Sequence, residues 1–211
     1  MTLFSVSCVV IAGYLLGSIP WAVLIGRFRG VDVLAGGSGN PGATNVMRTV
    51  GRTAGILCFL LDAGKGALAA GWPLVAFAGE AVALELAIAG LVAAIIGHSY
   101  SVFIHFRGGK AVATTIGGLL VLTPSVMGIA LVVWAVVFAS SRYVAVASLA
   151  LGFSLPLAAW FLGEPASIRL VCLALAVLIW LRHRSNIVRL RQGTEHRFTR
   201  RPDSRLTNPR P

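Results

Sequence analysis

Four stretches hold most of the side chains suited to chemistry. In Gly108-Gly109-Lys110-Ala111-Val112-Ala113-Thr114, two glycines precede a lysine at the start of an apolar segment. Glycines free the backbone to turn N–H groups toward a ligand, a helix N-terminus carries partial positive charge, and Lys110 adds a full charge there, so the stretch suits a phosphate. It is not a Walker A loop, because Ile104 stands at the first glycine position and Ala111 follows the lysine. A plain helix start with a lysine reaching to the membrane surface accounts for the same residues. The stretch Ser38 to Arg48, SGNPGATNVMR, offers hydroxyl and amide donors, Ser38 and Asn45 among them, on a flexible backbone ahead of Arg48. Guanidinium and backbone N–H groups match phosphate oxygens, although a polar turn with two caps explains the pattern as well.

Asp62 and Lys65 stand at spacing i, i+3 inside an apolar segment. Charges inside a membrane helix are costly, so they form an ion pair or Lys65 faces an anion-binding cavity. In HRSNIVRL, His183, Asn186 and either Arg189 or Leu190 share one helical stripe. A basic segment binding anionic headgroups needs arginines but neither His nor Asn. Glu195 is an acid in a strongly basic tail, placed to orient an Arg or Lys. His98 reads as a helix C-cap as readily as a site residue, and His105 and His196 lack partners at metal-ligand spacing, so no metal is expected. Cys8, Cys58 and Cys172 lie in apolar runs without CxxC partners and read as small buried hydrophobes.

The elements that must position these residues are membrane helices. Of 211 residues, 57% are hydrophobic and only 12% charged, whereas a soluble domain carries about a quarter charged residues. Seven apolar segments stand out, at 3–26, 54–78, 81–97, 110–123, 125–140, 143–162 and 167–182. A single-crossing helix needs about 20 apolar residues. The fourth and fifth segments are short and meet at Thr123-Pro124, as a hairpin or one kinked element. No Lys or Arg precedes the first segment while Arg27 and Arg29 follow it, the reverse of a signal peptide. With the N-terminus outside, 16 of the 18 Lys and Arg residues fall in or beside the inner linkers 27–53, 98–109 and 141–142 and the tail 183–211; only Lys65 and Arg169 do not. This asymmetry favours an odd helix count and a cytoplasmic C-terminus. It also explains the net charge of +11 without nucleic acid. The expected architecture is an all-α integral membrane protein of about seven transmembrane helices. Residues 1–196 form one polytopic domain, and 197–211, rich in Arg and Pro, form a disordered tail. No internal repeat marks a transporter's two halves, and the outer linkers carry acids but no cations, which argues against a transport path. A noncatalytic lipid-binding scaffold would explain the basic tail but not the Gly-rich polar motifs.

Taken together, GSIPWAVLIGR at 17–27, SGNPGATNVMR at 38–48, DAGKG at 62–66, GHSYSVFIHFRGGKAVAT at 97–114, SRYVAVAS at 141–148 and HRSNIVRLRQGTE at 183–195 resemble the bacterial acyl-phosphate:glycerol-3-phosphate acyltransferases, the PlsY family. The likeness covers nearly the whole chain. It implies a seven-helix enzyme of the bacterial inner membrane that moves a fatty acyl group from acyl phosphate to the sn-1 hydroxyl of glycerol 3-phosphate. The products would be lysophosphatidic acid and phosphate, with the site facing the cytoplasm. It also implies no cofactor, a monomer in contact with membrane lipid, and the enzyme supplying acyl phosphate as a partner. The resemblance places Ser38, Arg48, Lys110, His183 and Asn186 in the active site, makes Gly108 to Lys110 the phosphate loop and puts Glu195 at the acid of GTE. Asn45, Thr114, Ser148 and Lys65 are further substrate-binding candidates. Ser101, Ala111 and Ser185 depart from the family pattern; Ala111 replaces a glycine, so a slightly stiffer loop is expected. The His-x4-Asp signature of the common acyl-CoA glycerolipid acyltransferases is absent: the residues five beyond the histidines are Phe103, Lys110, Val188 and Arg201. No GxSxG elbow is present either.

Overall fold

The computed structural model describes residues 3–198, and among them every regular element is helical. The predicted disorder of the tail falls, from residue 199 onward, outside the described residues. The first apolar segment is two helices, α1 (Leu3–Ser18) and α2 (Trp21–Phe28), because Pro20 has no N–H to continue the ladder. The inner linker 27–53 contains a short helix, α3 (Ala43–Thr49), started from an extended Gly42. The remaining apolar segments form α4 (Arg52–Ala76), α5 (Ala83–Ser99), α6 (Val112–Leu122), α7 (Pro124–Ser141), α8 (Val144–Phe161) and α9 (Ala166–Arg182). A bend of 52° then leads into α10 (Arg184–Arg191).

Four helical stretches among the described residues are long and apolar enough to cross a bilayer: Leu3–Phe28, Arg52–Ala76, Pro124–Ser141 and Val144–Phe161. α9 qualifies as a fifth when joined to α10, whereas α5 and α6 are shorter apolar helices. Thr123, with a non-helical backbone (φ −152°, ψ 78°), separates α6 from α7, and Pro124 opens α7 at a position where its missing N–H costs nothing. α6 begins at Val112, two residues later than the apolar pattern suggests, because Ala111 takes the left-handed conformation (φ 59°) and so stands outside the helix.

Two packing features position the polar stretches. Gly66 of α4 and Gly117 of α6 bring the two backbones into contact: a Cβ on Gly66 would collide with the Thr114 carbonyl, and one on Gly117 with the Ala63 carbonyl. Small residues allow such approach between apolar helices, where dispersion contacts supply the attraction. The start of α6 is thereby held against the middle of α4. A shared core containing Leu91, Leu119, Met127, Leu151, Leu155, Ile168 and Ile179 then joins α5 through α9. Leu60, Val132, Phe153 and Leu170 stay exposed on the outer helix faces, a pattern suited to lipid.

Candidate active site

A cavity of about 840 Å³ opens where α3, α4 and the start of α6 face α7, α8 and the α9–α10 junction. Its polar wall comes from loops and helix ends: Ser38, Asn45, Arg48, Lys110, Ser148, His183, Asn186 and Glu195. All eight were candidates from sequence. Its apolar wall comes from helix interiors, with Ile56 and Phe59 on α4, Ile116 on α6, and Leu131, Trp134 and Phe138 on α7. The α7 stripe, continued to Arg142 at the helix end, runs for about 16 Å at 1.5 Å per residue.

A chain of hydrogen bonds orders the polar wall. Lys110 Nζ donates to Asn186 Oδ1, Asn186 Nδ2 donates to Glu195 Oε1 at 2.9 Å, and Arg189 Nε donates to Glu195 Oε2 at 2.7 Å. Glu195 therefore orients two side chains, as its isolation among basic residues suggests. His183 is buried, and its Nδ1 lies 2.8 Å from the Ile179 carbonyl. A carbonyl only accepts, so Nδ1 carries the proton and neutral His183 keeps a lone pair on Nε2. Burial, then the charge of Lys110, pushes the His183 pKa down to about 4, so the ring is neutral at pH 7. Lys110 is pushed down to about 8, by burial first; Glu195 opposes the shift, while Arg189, Arg48 and Arg182 add to it. Arg48 also has a buried Nε without a hydrogen-bond partner among the described residues, a donor ready for an anionic ligand.

Asn45 is spent on the loop itself. Its Nδ2 donates to the Val33 and Gly36 carbonyls and its Oδ1 accepts from the Ser38 amide at 2.8 Å, which fixes Ser38 at the cavity wall. Four candidates are not on that wall. Gly108, Gly109 and Lys65 instead line a second cavity of about 10 Å³, room for one water. Lys65 pairs with Asp62 at 2.9 Å and donates to the Ile19 carbonyl, capping the end of α1 where Pro20 interrupts the chain. Of the two roles open to it in the sequence, the ion pair is the one formed. Thr114 is buried with its hydroxyl 3.3 Å from His98 Nδ1. The Gly109 N–H bonds the His98 carbonyl at 3.0 Å, so it does not face the large cavity. The amides of Lys110, Val112 and Ala113 have no backbone acceptor among the described residues, and these residues line the wall. The loop amides without a backbone acceptor therefore lie toward α6.

Sequence reasoning missed Arg52, Arg142 and Phe198, all on the wall. Arg52, four residues beyond Arg48, was legible as a further cation beside a polar motif. Phe198 carried no signal: its N–H bonds the Arg142 carbonyl at 2.9 Å and its ring meets Phe138 edge-on, contacts that exist only in the folded chain.

Cations and open amides beside an apolar helix stripe define a helical membrane protein shaped for an anionic headgroup and a hydrocarbon chain together. The family model described as glycerol-3-phosphate acyltransferase matches residues 7–193, and the chain belongs to that family of membrane acyltransferases of lipid synthesis. Among its relatives, the glycerol-3-phosphate acyltransferase of Symbiobacterium thermophilum is 44% identical over 192 residues, covering 90% of this chain and 93% of that protein. That of Aquifex aeolicus is 41% identical over 189 residues, covering 90% and 97%. The fold is similar to the crystal structure of PlsY (YgiH), an integral membrane glycerol 3-phosphate acyltransferase, in its glycerol 3-phosphate form. The TM-score is 0.86 with 39% identity, covering 92% of this chain and 96% of that one. The lysophosphatidic acid form matches with a TM-score of 0.84.

Proposed function

We propose that this acyltransferase uses acyl phosphate as donor and acylates the sn-1 hydroxyl of glycerol 3-phosphate, releasing lysophosphatidic acid and inorganic phosphate. The observation that carries this reading is that Arg48, Lys110 and the start of α6 share a cavity with the apolar α7 stripe. Two phosphates require the cations, and the acyl chain requires the stripe. Homologues with glycerol 3-phosphate and lysophosphatidic acid forms support the acceptor and product.

Acyl phosphate is already activated, so catalysis reduces to positioning and charge stabilisation. The acceptor hydroxyl oxygen forms a bond to the acyl carbon, the bond from that carbon to the phosphate oxygen breaks, and phosphate leaves. Lys110, Arg48 and the open amides at the start of α6 hold the phosphates and neutralise charge as the leaving group departs. The hydroxyl proton passes to the departing phosphate. Neutral His183, with a pKa near 4, is a weak base and serves to accept a hydrogen bond from the hydroxyl and orient it. The one-sided placement of the cations supports seven crossings of the bacterial inner membrane, an outside N-terminus and a cavity reached from the cytoplasm.

The test is purified protein with acyl phosphate and glycerol 3-phosphate, following phosphate and lysophosphatidic acid together, with acyl-CoA as the rival donor. Equimolar products from acyl phosphate alone are expected, with a loss of about 100-fold or more in Lys110→Ala. Turnover with acyl-CoA but not acyl phosphate would sink the donor assignment. For the proton route, His183→Gln should keep the shape of the pH–rate profile; loss of an acidic limb would restore His183 as the base.

A further inference from the structure

We propose that Arg182 is a positioning residue that sets the peptide planes of the Gly108-Gly109-Lys110 loop, so that the Lys110 amide points into the cavity as an anion donor. The proposal deepens the preceding reading and rests on its claim that this loop holds a phosphate.

Arg182 ends α9, one residue before His183. Its Nη2 donates to the Gly108 carbonyl at 2.9 Å and to the Gly109 carbonyl at 2.8 Å, and its Nε reaches the Gly109 carbonyl at 3.1 Å. The same Nη2 lies 3.4 Å from the Ser99 carbonyl, and the guanidinium sits over the Tyr100 ring, 5.1 Å from its centroid. One side chain thus ties the end of α9 to the end of α5 and to the loop.

A trans peptide points its C=O and N–H in opposite directions, and no described peptide bond is cis. The peptide joining Gly108 to Gly109 is held at both ends, its oxygen by Arg182 and its N–H by the His98 carbonyl. In the next peptide Arg182 holds the Gly109 oxygen, so the Lys110 N–H points away from the guanidinium. That amide has no acceptor among the described residues, and Lys110 lines the cavity. Consecutive glycines have more backbone freedom than any other pair. Left untied, the second peptide can flip and turn a carbonyl oxygen, not an N–H, toward the phosphate. The flip converts a local attraction into a repulsion. Lysine would not replace arginine here, because it has no second nitrogen to match Nε, which holds the Gly109 oxygen together with Nη2, and no planar cation to lie over the Tyr100 ring.

The experiment compares full-length wild type, Arg182→Gln and Arg182→Lys in detergent, reading kcat, the KM for each substrate, the inhibition constant of inorganic phosphate and the thermal midpoint. Arg182→Gln should lose about 100-fold in kcat, the loss typical of misplacing a reacting group by about 1 Å. Phosphate inhibition should weaken by tenfold or more while the thermal midpoint stays within a few degrees. Arg182→Lys should recover less than a tenth of wild-type kcat. Wild-type kinetics in Arg182→Gln overturn the proposal, and full recovery in Arg182→Lys shows that charge and not the fork matters, which also overturns it. If Arg182→Gln does not fold, Tyr100→Leu decides. Removing the ring beneath the guanidinium should weaken phosphate inhibition in the same direction, and unchanged inhibition there counts against the proposal. Should the wild type use another acyl donor, the donor assignment fails by itself, and the Arg182 comparison is made with that donor.

Discussion

Lys110 makes the sharpest prediction. Its pKa falls from 10.5 to about 8, and at about 1.4 kcal/mol per pH unit this disfavours the free ammonium by about 3 kcal/mol. In the proposed role the cation binds phosphate, so kcat/KM should fall as pH rises through about 8. With a pKa near 8, only about a tenth of the enzyme is charged at pH 9; with the ordinary value the loss at pH 9 would be a few per cent. Neither substrate confuses the reading, because phosphate monoesters complete their second ionisation near pH 6. A bound dianion favours the ammonium, so the limb in kcat should lie at higher pH than the limb in kcat/KM. The assay is phosphate release from pH 6.5 to 9.5, corrected for spontaneous hydrolysis of the donor. Lys110→Arg, which stays charged throughout, should lose rate because its fork does not match Asn186, yet its profile should be flat above pH 8. A wild-type profile flat to pH 9.5, or a limb that persists in Lys110→Arg, would refute the assignment. Stability follows the same linkage. Between about pH 8 and 10.5 the unfolded chain holds a proton that the folded chain has released, so this group makes the ligand-free fold more stable as pH rises through that window.

Three further outcomes are expected. Ala111→Gly should relieve a left-handed alanine (φ 59°), stabilising the protein by about 1 kcal/mol and raising the thermal midpoint by about 2–4 °C, with little change in rate. Glu195→Gln should weaken the Arg189 pair and disturb the Asn186–Lys110 chain, costing about 2 kcal/mol and lowering the midpoint by about 4–8 °C, read by thermal unfolding with and without glycerol 3-phosphate. Leu131→Trp should fill the stripe farthest from Arg142, lowering kcat/KM for long-chain donors by tenfold or more relative to short ones in a chain-length series.

The stability prediction for Ala111 also shows where sequence reading stops. A stiffer loop was expected from an alanine in a glycine's place; the reason, a positive φ at the residue before α6, is visible only in the backbone. The same holds for Lys65. Its spacing from Asp62 allowed an ion pair or a cavity-facing cation, and the choice depended on Ile19, 46 residues away in sequence, presenting its carbonyl beside it. In the sequence Arg182 counts only among the 16 cations in or beside the inner linkers and tail, because nothing local distinguishes an arginine that neutralises a membrane surface from one that clamps two glycine carbonyls.

What the sequence determined by itself is whatever depends on near neighbours. Runs of apolar residues dictate helices because a backbone out of water must satisfy its own hydrogen bonds, and Gly-rich, cationic interruptions between those runs single out the residues proposed to hold phosphate. The folded chain decided which of those polar groups meet. Lys110 and Asn186 are 76 residues apart yet share a hydrogen bond, and α6 lies on α4 because Gly66 leaves room for the Thr114 carbonyl and Gly117 for the Ala63 carbonyl. Tertiary packing also turned the loop, tying the Gly109 amide to α5 and leaving the Lys110 amide open beside the cavity. A peptide's orientation is set by what holds its oxygen, and here that partner comes from the far end of the chain.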